Sequence, residues 1–181
     1  MIAQSPDLVS TIYEGPEYYG ENILHIAVIN RNIELCRLLV DKDPTLLSGR
    51  ATGRFFSPDG AFGFGEYPIF FAACTNQKDI TEILLEAGGD ISVTDGNGST
   101  VFHHLVKQGN LHMFDFLCEY YSSHREIYDP TKSLPLPWKV VNNDGLTPFT
   151  YAAYLGNEKM FKAMLERRKE LQWQVCVENT L

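Results

Sequence analysis

Closely spaced cysteines are missing from this chain. Of its four, Cys36, Cys74, Cys118 and Cys176, no two stand as C-x-x-C, and three fall in apolar, helical-looking runs. This argues against a disulfide framework and a spacing-coded zinc site, and fits a reduced, intracellular setting. No uninterrupted apolar run approaches the ~20 residues that a membrane span needs, and no basic-then-apolar leader opens the chain. Positive charge is also scarce. Fifteen Lys and Arg stand against 23 Asp and Glu, a net charge of −8, whereas a nucleic-acid platform needs a basic face to neutralise phosphates. Elbow motifs, Ser-His-Asp clusters and paired carboxylates with apolar neighbours are absent as well, so no catalytic residue and no cofactor are expected. What is present, 181 residues at 44% hydrophobic and 21% charged, is the composition of one soluble globular domain.

The informative pattern is internal repetition. "GENILHIA" from Gly20, "GEYPIFFA" from Gly65, "GSTVFHHL" from Gly98 and "GLTPFTYA" from Gly145 align, with starts 45, 33 and 47 residues apart. In each, the glycine suits a turn with positive φ. Asn22, Thr100 and Thr147 then stand at N-cap positions, with Tyr67 the weak member because its side chain does not cap. Pro68 and Pro148 fall at the first helical position, where a missing N–H costs nothing. A second stripe follows at helical spacing: Leu35, Ile80, Met113 and Met160, then Leu39, Leu84, Leu117 and Met164. Helix pairs of this kind bury their faces only by stacking, and a period near 33 is that of ankyrin repeats. The fold class expected is all-α: an ankyrin-repeat solenoid of about four helix-turn-helix units over 18–168, with inserts at 46–64 and 119–142. An entry segment spans 1–17. Residues 169–181 read as the start of a linker, with a short C-terminal β-strand, because Leu171, Trp173, Val175 and Val177 alternate at period two.

The wording "GENILHIAVINRNIELCRLLV", "RATGRFF", "FGEYPIFFAACTNQ", "GNGSTVFHHLV" and "NNDGLTPFTYAAYLGN" resembles the cytosolic ankyrin domain of vanilloid-type transient receptor potential channels. The likeness runs from about residue 18 to about residue 175. It implies a regulatory and assembly module of a calcium-permeable cation channel, at the cytoplasmic face of the plasma membrane, with other channel subunits as partners. Residues 46–66 match the family's protruding finger. The resemblance therefore assigns protein contacts to Arg54, Phe55, Phe56, Phe62, Phe64, Glu66 and Tyr67, and contacts of the linker strand to Trp173 and Val175. From the residues alone, Phe55 and Phe56 either meet a partner or fold back on their own repeats. The alternative for the whole chain is a free-standing, cytoplasmic ankyrin adaptor that binds protein partners.

Other motifs carry two readings. His103, His104 and His112 suggest a metal, but no Cys, Asp or Glu falls at ligand spacing, and His25 and His103 occupy the repeat position where ankyrins bond a neighbouring turn. "DGAFGFGE" lacks the Lys-Ser/Thr of a phosphate loop. The segment 160–173, with Phe161, Leu165, Arg167, Arg168 and Lys169, reads first as the last outer helix and second as a calmodulin-type target. Tyr18 matches an aromatic residue of the family's ATP site, but Ile29-Asn30 stands where the ATP-binding members carry Glu-Arg. No ligand site is expected from it.

Overall fold

The structure, a computed structural model, describes residues 11–54, 66–131 and 133–167. Helices come in pairs: α1 (Ile23–Ile29) with α2 (Ile33–Lys42), α3 (Pro68–Cys74) with α4 (Lys78–Glu86), and α5 (Val101–Gln108) with α6 (Leu111–Ser123). A short α7 (Arg125–Tyr128) follows, then α8 (Pro148–Tyr154) and α9, helical from 158 through 167. The inner helices pack in the order α1, α3, α5, α8, and α2 lies against α4. The core runs along this stack rather than around a centre, as expected where each unit contacts only its neighbours.

Local chemistry starts and stops each inner helix. The Asn22 side chain accepts the amides of Leu24 and His25, at 3.0 and 3.1 Å. Thr100 caps α5 with its own amide held by His103, and Thr147 accepts the Thr150 amide on α8. Tyr67 makes no side-chain cap on α3, and Pro68 at the first position omits one of the unsatisfied donors. The turn glycines that can be seen, Gly20, Gly98 and Gly145, have φ of 85°, 69° and 73°. Gly65 lies outside the described residues. Gly20 has a second reason to be glycine: an added Cβ would sit 1.9 Å from the Arg50 carbonyl oxygen.

Between the inner and outer helix of each unit the chain makes a left-handed step, at Arg31 (φ 54°), Asn76 (φ 59°), Gly109 (φ 69°) and Gly156 (φ 65°). A polar residue follows each step. Asn32, Asn110 and Asn157 cap the outer helices through Leu35, Met113 and Met160. Gln77, one methylene longer, makes no cap and instead reaches back to the Val28 carbonyl, 3.0 Å away.

The outer-helix stripe is buried at Ile80, Met113, Met160, Leu39, Leu84, Leu117 and Met164. Leu35 is only half-buried, in a first unit that among the described residues has a neighbour on one side alone. The segment 119–142 is not all loop. α6 continues through Ser123 and α7 follows, since no helix breaker occurs before Pro130. Beyond it Trp138 docks edge-on against Phe102 and Tyr121, with ring centroids 5.6 and 5.7 Å away. The expected strand at 170–177 lies outside the described residues. Among those described, β-pairing is limited to one antiparallel bridge, Ile12 with Asn22.

Candidate functional site

Two histidines interlock successive units. His25 Nε2 faces the Glu66 carbonyl at 3.1 Å. A carbonyl only accepts, so that nitrogen carries the proton, and Nδ1 is left to accept the Asn22 amide at 3.2 Å. His103 repeats the arrangement two units on: Nε2 meets the Leu146 carbonyl at 2.9 Å, and Nδ1 takes the Thr100 amide at 3.1 Å. Burial pushes the His25 imidazole down to about 4, the Glu66 bond opposing only in part. Burial likewise lowers His103. Both are neutral structural links, as the repeat position implied. His104 bonds Asp95 at 2.8 Å, and both are buried. Burial alone would raise the Asp95 carboxyl, but the His104 bond and the amides of Ser99 and Asn97 outweigh it and hold the group below the usual range. His112 joins neither bond. Among the described residues no group of three His, Cys, Asp or Glu side chains is placed to hold a metal.

The ring contacts between units follow a rule. The side chain two before the aligned Ala or Leu meets the one at the next position in the following unit: His25 with Phe71 (5.2 Å), Phe70 with His104 (5.4 Å), His103 with Tyr151 (5.9 Å).

The root of the expected finger is tied by several bonds. The Ala51 amide donates to the Glu66 carbonyl at 2.8 Å, closing the loop between them. Across the same gap the Arg50 guanidinium bonds the Glu66 carboxylate, with Nε at 2.7 Å, and lies over the Tyr67 ring at 5.8 Å. The other Glu66 oxygen accepts the Gly96 amide, 3.1 Å away in the next unit. The carboxylate bond raises Arg50 further, and burial raises Tyr67 against the opposing pull of Arg50. On the near side, the amides of Thr52 and Gly53 donate to the Tyr19 carbonyl, and Arg54 donates to that of Pro16. Arg54 also pairs with Glu17 at 2.5 Å, both exposed.

Of the expected finger residues, Arg54, Glu66 and Tyr67 therefore meet at or beside one root, while Phe55, Phe56, Phe62 and Phe64 lie outside the described residues. Reading the sequence missed Arg50 and Glu17. The signal for Arg50 was available: a base and an acid, Arg50 and Glu66, bracket the insert.

At the far end of the stack, Phe161 stacks on Phe149 at 4.6 Å, and Leu165 is half-buried. Arg167 bonds Asp115 and Glu119 on α6, at 2.8 and 3.2 Å. Arg168, Lys169, Trp173 and Val175 lie outside the described residues. Tyr18 packs edge-on against Tyr13 at 5.9 Å. No described helix is long and apolar enough to cross a membrane.

Comparison with known proteins agrees with this geometry. A family model for ankyrin repeats in three copies matches residues 2–95, 44–131 and 69–174. The chain is 38% identical to transient receptor potential cation channel subfamily V member 5 of Rattus norvegicus, over 97% of this chain and 24% of that protein. It is 37% identical to member 6 of Homo sapiens, over 96% and 22%, and 35% identical to member 1 of Canis lupus familiaris, over 94% and 21%. The chain thus spans about a quarter of the length of these relatives. Capped helix pairs, interlocking histidines and the family match together place this chain in the ankyrin-repeat family.

Proposed function

We propose that this chain is the cytosolic regulatory and assembly module of a vanilloid-type, calcium-permeable cation channel, acting by protein–protein contacts. One observation carries the reading: similarity over 97% of the chain falls on a subfamily V channel, across insert and repeats alike. In this reading the stack is a rigid mount. Its contact surface is the finger, Arg54 to Tyr67, held at its root by Arg50, and the linker residues Trp173 and Val175 add a second contact. The partners are other subunits of the same channel, and the working position is the cytoplasmic face of the membrane. A calmodulin-type contact at 160–169 is supported less, because Phe161 is already stacked and Arg167 already paired. Repeat stacks of this kind serve binding rather than catalysis.

Sequencing of transcripts through and beyond the Leu181 codon tests the reading. In-frame segments of ~20 apolar residues are the expected result. Transcripts that end without them sink the channel assignment, and a free-standing adaptor then takes its place.

A further inference from the structure

The start of α4 lacks what the other outer helices have. Asn157 shows how both halves of a side-chain amide are used there. Its Oδ1 accepts the Met160 amide at 3.2 Å, and its Nδ2 donates to the Val106 carbonyl of the preceding unit at 3.0 Å. Gln77 makes only the second of these bonds, to Val28. It forms no cap on the nine-residue α4, and its Oε1 is buried with no partner in a residue only 8% exposed. The first amides of α4 thus want an acceptor, and the oxygen beside them wants a donor.

A cleft opens at the same place. Its volume is about 370 Å³, and Arg31 and Ile33 of the first unit line it together with residues 76–80 of the second. The Arg31 guanidinium donates to the Thr75 carbonyl at 3.1 Å, one bond for a group with five N–H donors. Lys78 turns its ammonium onto the Phe116 ring, 4.7 Å away. Asp79 adds a carboxylate to the lining. Arg31 and the positive end of the helix dipole therefore suit one negative charge. A phosphate monoester, close to a dianion at pH 7, would set a second charge near Asp79 and bring no proton for Gln77.

We propose that this cleft captures the carboxyl terminus of a peptide chain that ends in an apolar residue. The carboxylate supplies the acceptor for the α4 amides and Arg31. The last backbone N–H supplies the donor for Gln77, and the last side chain covers Ile33. Capture of a terminal carboxylate by unpaired backbone amides is a recurring mode of peptide recognition. The proposal is independent of the channel reading.

Nuclear magnetic resonance of backbone amides in the 181-residue chain tests it, with an N-acetylated tripeptide ending in valine as the probe. The expected result is saturable shifts at residues 77–80, about tenfold weaker or more when the same peptide ends in a carboxamide. Gln77→Asn restores the cap made by Asn157, so it raises the melting temperature and abolishes binding. Arg31→Gly, which suits the left-handed backbone there, weakens binding about tenfold, as loss of a bond to a charged group does. No shift at residues 77–80 with peptide at up to about 10 mM, a concentration that detects even millimolar affinity, overturns the proposal. Equal shifts from the acid and the carboxamide overturn it too, as does unchanged binding by Gln77→Asn. Stronger shifts from inorganic phosphate than from the peptide overturn it in favour of a simple anion site.

Discussion

Acid should loosen this stack through His25, starting above the range in which carboxylates ordinarily titrate. The imidazole is fully buried, donates to Glu66 and accepts from Asn22. A second proton would land on Nδ1, facing the Asn22 amide donor, in a site that already disfavours charge. Burial sets its folded value at about 4, against 6.5 for the free group. A group lowered on folding takes up protons first in the unfolded chain. Its contribution is therefore complete above pH 6.5, declines as pH falls below that, and is gone near pH 4. Each pH unit in that window is worth about 1.4 kcal/mol, so the loss is about 1 kcal/mol at pH 5.5 and about 2–3 kcal/mol at pH 4.5. His103, also lowered, adds in the same direction. The assay is urea unfolding followed by circular dichroism at half-unit steps from pH 7.5 to 4.5, for the native sequence and for His25→Gln. The variant should start less stable at pH 7.5 and fall less steeply below pH 6.5. If both show the same slope between pH 6.5 and 4.5, the burial of a neutral His25 is not what couples this fold to pH.

Three further substitutions probe separate features. Gly20→Ala brings a Cβ against the Arg50 carbonyl in a left-handed backbone and should cost about 3 kcal/mol or more in thermal or chemical unfolding. Arg31→Gly relieves a left-handed arginine at the step where later units use Asn76, Gly109 and Gly156. It should stabilise by up to about 1 kcal/mol, less the exposed bond from Arg31 to the Thr75 carbonyl. Asp95→Asn removes the charge that His104 and two turn amides engage and should cost about 1–3 kcal/mol at pH 7. Because the Asp95 carboxyl sits below its ordinary value, its contribution is present above about pH 4 and is lost as pH falls through the folded value. Titration of the variant should then differ from the parent below the histidine window.

Features that act within a few residues were legible in the sequence. An N-cap and the amides it holds, as at Asn22 and Thr147, lie two or three residues apart, and Pro68 at a first helical position fixes its own geometry. The stripe from Leu39 to Met164 was legible because helical burial has a period. Leu35 departed from it, and burial depends on a neighbour as well as on the residue. The Arg50–Glu66 tie and its extension to Gly96 cross 16 and 30 residues, and no period encodes such a pairing. Tyr120 and Tyr121, within the second insert as bounded from the sequence, continue α6 because nothing stops the helix before Pro130.

The histidine links do not join every pair of units. His25 ties the first unit to the second and His103 the third to the fourth, but Phe70 stands between the second and third, and that seam is held by ring packing and the Glu66–Gly96 bond. The stack therefore has seams of two kinds, in a fixed order of failure. As protons arrive, the outer seams each lose a neutral-imidazole link to a carbonyl, while the middle one, Phe70 against His104, contains no such link. The chain should shed its end units first and leave the central pair of helix hairpins standing, an order that hydrogen exchange near pH 5 would read directly as slow amides confined to α3 through α6.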